Sequence, residues 1–175
     1  MIRTVSLALI ALGLAGCATD GQPAPAANLA AASLAGPDGK AVGTAAIMRR
    51  GADTMITVTV TGTPGAVHGM HLHAIGKCEA PAFTSAGPHL NPGGHQHGKD
   101  NPMGAHLGDL PNVTIDARGI GSITASLGQD GAAIDAALHD ADGTAIVLHA
   151  AADDYRTDPT GNSGARIACG VIRRI

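Results

Sequence analysis

Met55-Ile56-Thr57-Val58-Thr59-Val60-Thr61 alternates apolar and hydroxyl side chains without a break. Period two is the mark of a strand with one buried and one wet face, and β-branched residues fit a pleated surface. The run predicts a strand over residues 55–61, and the chain around it repeats the pattern. Upstream, Arg50 to Asp53 reads as a turn, residues 41–48 as a strand, Pro37-Asp38-Gly39 as a turn, and residues 28–34 as an Ala-rich first strand. Downstream, Gly62-Thr63-Pro64-Gly65 is a loop and residues 67–73 (V-H-G-M-H-L-H) form the next strand. Strands are expected again at 113–115, 120–125, 145–149 and 168–172, with turns at 116–119 and 140–143. Short strands, frequent turns and no visible amphipathic helix point to an all-β, antiparallel sandwich or barrel.

The composition agrees. The chain has 175 residues, which suits one domain, and 45% of them are hydrophobic. With no Trp, one Tyr and one Phe, the core must be built from Ala, Val, Ile and Leu. The 25 Gly and 10 Pro favour turns over long helices. A formal net charge of −3 makes nucleic acid and acidic membrane surfaces unexpected partners.

Two stretches break the strand rhythm: residues 74–110 and residues 150–166. A structureless stretch of that length inside a domain is expected only where it is functional and held by ligands. Seven of the nine histidines fall between His68 and His106. His71 and His73, at i and i+2, share one face of a strand. His68 is out of phase with both and reads as a structural histidine, tying its strand to a neighbouring loop. His149 ends a separate apolar strand and could join the pair. Three imidazoles with an open position suit copper, zinc or iron, and spacing does not choose among them. In the first long loop, His89, His97, His106 and Asp109 offer the three imidazoles and one carboxylate of a closed tetrahedral zinc site. His95 competes with His97 for the second place.

At the amino terminus, Arg3 and the apolar run 5–14 resemble a signal peptide too short to span a bilayer. The run ends in Leu14-Ala15-Gly16-Cys17, which resembles a bacterial lipobox. This implies a signal segment at 1–16, lipidation of Cys17, a flexible tether over 17–27 and a domain over 28–175. With Cys17 lipidated, Cys78 and Cys169 are left, in an oxidising compartment where a disulfide persists. Their bridge would close roughly 90 residues and contribute about 4 kcal/mol in the chain-entropy picture.

Four segments then carry a family resemblance: V-H-G-M-H-L-H (67–73), S-A-G-P-H-L-N-P (85–92), H-L-G-D-L-P (106–111) and G-N-S-G-A-R-I-A-C-G-V-I (161–172). In order and ligand spacing they resemble the copper–zinc superoxide dismutases, over residues 28–175, and the lipobox resembles the exported bacterial branch. The resemblance implies an immunoglobulin-like, flattened Greek-key barrel of about eight strands with two long functional loops. It implies one copper held by His71, His73, His89 and His149, and one zinc held by His89, His97, His106 and Asp109. His89 is then a shared imidazolate, and His97 is preferred to His95. Asp153 matches an outer carboxylate linking one ligand of each metal, Arg166 the arginine that attracts and orients superoxide, and Cys78–Cys169 the intrachain disulfide.

The implied reaction is conversion of superoxide to dioxygen and hydrogen peroxide by Cu(II)/Cu(I) cycling, with His89 as a proton donor. The alternative is an envelope protein that binds copper or zinc without turnover. The implied location is the cell envelope or periplasm, with the membrane reached only through the lipid on Cys17. An outer membrane is favoured in a Gram-negative cell. Family members occur as monomers and dimers, so a homodimer is compatible. Met70 stands where the family often has an aromatic, His95 is an extra histidine, and His139 reads as a surface or turn residue. Asp154, Arg156 and Asp158 do not reproduce the charge pattern of the eukaryotic branch.

Overall fold

The computed structural model describes residues 28–175. Cleavage before Cys17, its lipidation and the 17–27 tether lie outside the described residues. The strands are β1 (Asn28–Ala35), β2 (Ala41–Arg50), β3 (Asp53–Thr61), β4 (Val67–His68), β5 (Met70–His73), β6 (Val113–Thr114), β7 (Ile120–Gly128), β8 (Ala145–His149), β9 (Arg166–Val171) and β10 (Arg173–Arg174). Among the described residues there is one α-helix, α1 (Gly131–Leu138), and a short 3-10 turn at Thr84–Ala86.

The alternation that predicts β3 is the alternation of its burial. Thr54, Ile56, Val58 and Val60 are buried. On the outer face Thr57 pairs its hydroxyl with Thr124 at 3.0 Å and Thr59 with Ser122 at 3.3 Å. All strand pairs are antiparallel, in the order β5-β8-β9-β1-β2-β3-β7, with β10 on β1. Crossovers join β5 to β8, β9 to β1 and β3 to β7, the non-sequential pairing of a Greek key. The path ends at β5 and β7. β4 runs into β5, β6 runs into β7 through the Asp116–Gly119 turn, and β4 pairs with β6. That short pair draws the two ends together, so the sheet curls into a barrel.

Leu34, Ile47, Ile56, Val58, Met70, Leu72 and Ile146 fill the interior, as a chain short of aromatics requires. A smaller cluster of Phe83, Ala86, Ala145, Val147 and Cys169 lies apart from it. Period two on β5 sends Met70 and Leu72 inward and turns His71 and His73 to the outer face, where the long loops bury them completely. The Cys78–Cys169 disulfide is formed and spans 91 residues.

Two features depart from expectation. The strand expected over 67–73 is broken at Gly69. The Gly69 N–H donates to Ala151 O at 2.8 Å, its carbonyl accepts from His149 N at 2.9 Å, and a Cβ there would lie 2.8 Å from Ser163 Cβ. Secondly, α1 is a helix where none was expected. Asp130 caps it by accepting from Ala133 N at 3.0 Å, and Ile134 and Leu138, one turn apart, bury its inner side. His139, expected at the surface or in a turn, is the half-buried turn residue that C-caps this helix, donating its backbone N–H to Asp135 O at 3.1 Å.

Candidate metal centre

The 74–110 loop is not structureless in its bonding. It lies along the free edge of β5 and completes its ladder. Leu72 N donates to Gly108 O at 2.9 Å, Leu90 N to Leu72 O at 2.8 Å, Ala74 N to Pro88 O at 2.9 Å, and Leu110 N to Met70 O at 3.3 Å. His73 thereby sits opposite His89, and His71 opposite Asp109, as isolated β-bridges. The second long loop closes from the other side, with Ala150 N on Ala165 O at 2.8 Å and Ala151 N on Ser163 O at 2.9 Å.

Two sets of ligand atoms converge. His71, His73, His89 and His149 form one, and His71, His89, His97 and Asp109 the other, with all atoms of a set within 4.8 Å of one another. His106 joins the second group at its edge, with Nδ1 3.4 Å from His89 Nδ1 and 3.2 Å from Asp109 Oδ1. His71 and His89 belong to both, but the far nitrogen of His71 is taken by Asp153, whereas that of His89 faces Asp109 and His106. His95 is exposed and lies outside both sets. His68 donates from Nδ1 to His149 O at 2.8 Å, so it braces the strand end that carries His149.

Each ring is turned by a bond on its far nitrogen. His71 Nε2 donates to Asp153 Oδ2 at 2.5 Å, and His97 Nε2 to Asp153 Oδ1 at 3.0 Å. His73 Nδ1 donates to Gly87 O at 2.8 Å and His149 Nδ1 to Gly164 O at 3.1 Å. These assignments leave His71 Nδ1, His73 Nε2, His149 Nε2 and His97 Nδ1 as lone pairs, and all four are buried with no hydrogen-bond partner, as is His89 Nε2. His97 Nδ1 lies 3.0 Å from Asp109 Oδ1 but out of line for a bond. Buried polar atoms are normally satisfied. Five orphaned imidazole nitrogens in one cluster are what a metal donor set requires, so the residues fit metal ions.

The electrostatics agree. Burial disfavours the imidazolium and pushes His73 down to about 2, His149 to about 3 and His89 to about 4, so these rings are neutral near pH 7, as ligands must be. Burial opposes charge at His97 too, but the Asp109 and Asp153 carboxylates outweigh it and lift His97 to about 9, so in the metal-free chain this ring is an imidazolium near pH 7 and a metal binding at Nδ1 must displace that proton. Burial likewise opposes charge at Asp153, and bonds from His71 and His97 outweigh it, holding its carboxyl below the usual range.

Asp153 is itself clamped. Asn112 Oδ1 accepts from Asp153 N at 2.8 Å, Asn112 Nδ2 donates to Asp153 O at 2.9 Å, and Tyr155 N donates to Asp153 Oδ1 at 2.6 Å. Gly161 passes so close that a Cβ would run into Asp153 Oδ1. Asn112 carries no sequence signal, because one amide between strands looks like any loop residue.

Arg166 lies opposite His149 in the β8–β9 register. Its guanidinium donates to Phe83 O at 2.8 Å and Gly87 O at 2.7 Å, so Gly87 O holds both Arg166 and His73. Gly87 has φ +73°, a left-handed backbone that other residues adopt only with strain. The charges of the 154–160 loop are largely engaged. Asp154 accepts from Thr157 Oγ1 at 2.6 Å, from Thr157 N at 2.8 Å and from Arg156 N at 2.9 Å. Asp158 Oδ1 accepts from His97 N at 2.6 Å.

Residues 41–172 match the family model described as copper/zinc superoxide dismutase. A copper–zinc superoxide dismutase of Aquifex aeolicus is 38% identical over 150 residues, covering 81% of this chain and 85% of that one. One from Deinococcus radiodurans is 36% identical over 193 residues, covering 100% of both. The crystal structure of a superoxide dismutase-like protein from Bacillus subtilis superposes with a TM-score of 0.76 at 38% identity, covering 83% of this chain and 99% of that one.

Proposed function

The chain belongs to the copper/zinc superoxide dismutase family, and from that premise we propose an assignment of its residues to the two metals and to the reaction. The protein is a superoxide dismutase that uses copper and zinc. Two superoxide ions and two protons give one dioxygen and one hydrogen peroxide.

In our assignment His71 Nδ1, His73 Nε2, His89 Nε2 and His149 Nε2 hold copper. His89 Nδ1, His97 Nδ1, His106 Nδ1 and Asp109 hold zinc. Bound there, copper would supply the one-electron couple, and zinc a fixed positive charge. His89 Nε2 is the atom at which the chain takes up and gives back a proton, because it alone faces one half of the centre while its other nitrogen faces the other half. Arg166, held by Phe83 O and Gly87 O, attracts the anionic substrate and orients it beside His73 and His149. Asp153 is a positioning residue that fixes the rings of His71 and His97 with its two oxygens.

The observation that carries this reading is the convergence of five unpartnered, buried imidazole nitrogens on a shared His89. It is tested by measuring metal content and superoxide consumption on one sample. About one copper and one zinc per chain, with turnover well above free copper, is the expected result. Both metals bound without turnover would favour the non-catalytic binding protein.

Asp153→Asn is expected to weaken zinc or copper affinity about 10- to 100-fold. The amide keeps the shape but loses one of two acceptors, so His71 and His97 cannot both be held. Competition against a chelator of known affinity measures it. Unchanged affinity for both metals would remove Asp153 from its role.

The disulfide marks an exported protein, extracellular or periplasmic. Beyond that, the lipobox-like Leu14–Cys17 supports cleavage before Cys17, lipid on that residue, an outer-membrane anchor in a Gram-negative cell, and a domain over residues 28–175 reached by the 17–27 tether. Mass spectrometry of the mature amino-terminal peptide tests this; a free Cys17 thiol would exclude it.

A further inference from the structure

Two cavities lie beside the centre, one next to His149 through Gly164 and Arg166 and one reaching His89 and His106, and they differ in the sign of their charge. One, of about 300 Å³, is lined by Ala82, Thr84, Gly164, Ala165 and Arg166. The other, of about 490 Å³, has His89, His95, His106, Ala137, Asp140 and Asp158 in its wall. The first carries a guanidinium. The second carries two carboxylates and an exposed imidazole, and reaches two residues of the zinc set.

The second opening is connected to the centre by single side chains. The His106 side chain is 6% exposed, and among the described residues its ring bonds all run through Nδ1, on the side of His89 and Asp109. Its Nε2 reaches no hydrogen-bond acceptor; the carboxylate beside it, Asp158 Oδ1, is 4.0 Å away. That same Asp158 oxygen accepts from His97 N. At the rim, Asp140 Oδ1 takes the turn bonds from Asp142 N at 3.1 Å and Gly143 N at 2.8 Å, and both fall on that one oxygen. His95 is fixed through its backbone by Asn91, with its ring packed over Gly93.

We propose that the second cavity is a cation port: a hydrated divalent zinc ion enters there, is gathered by Asp140, His95 and Asp158, and passes to His106 and the zinc set. The anionic substrate approaches from the opposite sign of field, at Arg166. A charged, low-dielectric mouth raises the local concentration of ions of opposite charge and speeds their capture. The fold thus offers an anion and a cation separate cavities of opposite charge. The proposal rests on the assignment of His89, His97, His106 and Asp109 to zinc.

The test is the rate of zinc uptake by metal-free protein, followed by stopped flow with a chromophoric zinc indicator at low and high salt. Asp140→Asn removes a charge and keeps the oxygen that holds the turn. Ala137→Lys places a cation at the rim on α1. Zinc uptake at low salt is expected to slow about threefold in the first and about tenfold in the second. The differences should shrink once salt screens the mouth, while copper uptake and the zinc bound at equilibrium stay unchanged. Zinc bound normally at an unchanged rate overturns the port and leaves the zinc assignment standing. Equal slowing of copper also overturns it, because the effect is then one of overall charge. A wild-type chain that binds no zinc at equilibrium overturns both.

Discussion

Replacing His89 by Ala is expected to lower superoxide turnover by a factor on the order of 10² to 10⁴, the usual contribution of a positioned proton donor. The loss has two sources. His89 is the one residue common to the copper and zinc assignments, so its removal takes a ligand from each set. It also removes the proton-bearing ring that the assignment places between them. Its Nε2 is buried and unpartnered, and its Nδ1 lies 3.1 Å from Asp109 Oδ1, so no neighbouring ring can swing into its place without giving up its own bond. Superoxide consumption and metal content should be measured on the same sample. A variant that holds both metals and keeps wild-type turnover would sink the assignment.

Removing the disulfide by Cys78→Ala with Cys169→Ala is expected to cost about 4–5 kcal/mol, because the bridge closes a loop of 91 residues in the unfolded chain. For a domain of this size that lowers the melting temperature by about 10–20 °C. Activity should fall as well, since Cys78 anchors the segment whose Phe83 and Gly87 carbonyls hold Arg166. Thermal unfolding at matched metal content checks the first part, because bound metal stabilises by mass action. A shift of only one or two degrees would mean that the loop stays ordered without the bridge.

The barrel was legible where a residue's environment depends on its immediate neighbours. The Met55–Thr61 alternation predicts which side chains of β3 are buried, because pleating is local. The 145–149 strand was read with its observed bounds for the same reason. α1 escaped notice because G-A-A-I-D-A-A-L has only Ile134 and Leu138 as large apolar residues, too few for a stripe. Asp130, a good N-cap, was the available signal. The break at Gly69 depends on Ala151, Ser163 and Asp153, which are distant in sequence, so no local pattern encodes it.

Crowding marks the histidines in the sequence, and only the family resemblance separates His97 from His95. The structure places His97 buried between two carboxylates and leaves His95 exposed at a cavity wall. The supports around them were not legible: Asn112 against Asp153, and Asp158 against His97, join residues 41 and 61 positions apart.

The pairing of the 88–90 and 108–110 segments with β5 has a consequence for self-association. β5 ends the sheet, and an uncovered end strand offers a row of free N–H and C=O groups to any other extended chain. Here those groups are occupied by the segments that carry His89 and Asp109. Ligand binding and edge protection are therefore one structural state. A chain whose loop lifts away loses its donor set and, in the same movement, bares Met70–His73 as a template for another molecule. Loading with metal would guard against aggregation as well as enable turnover.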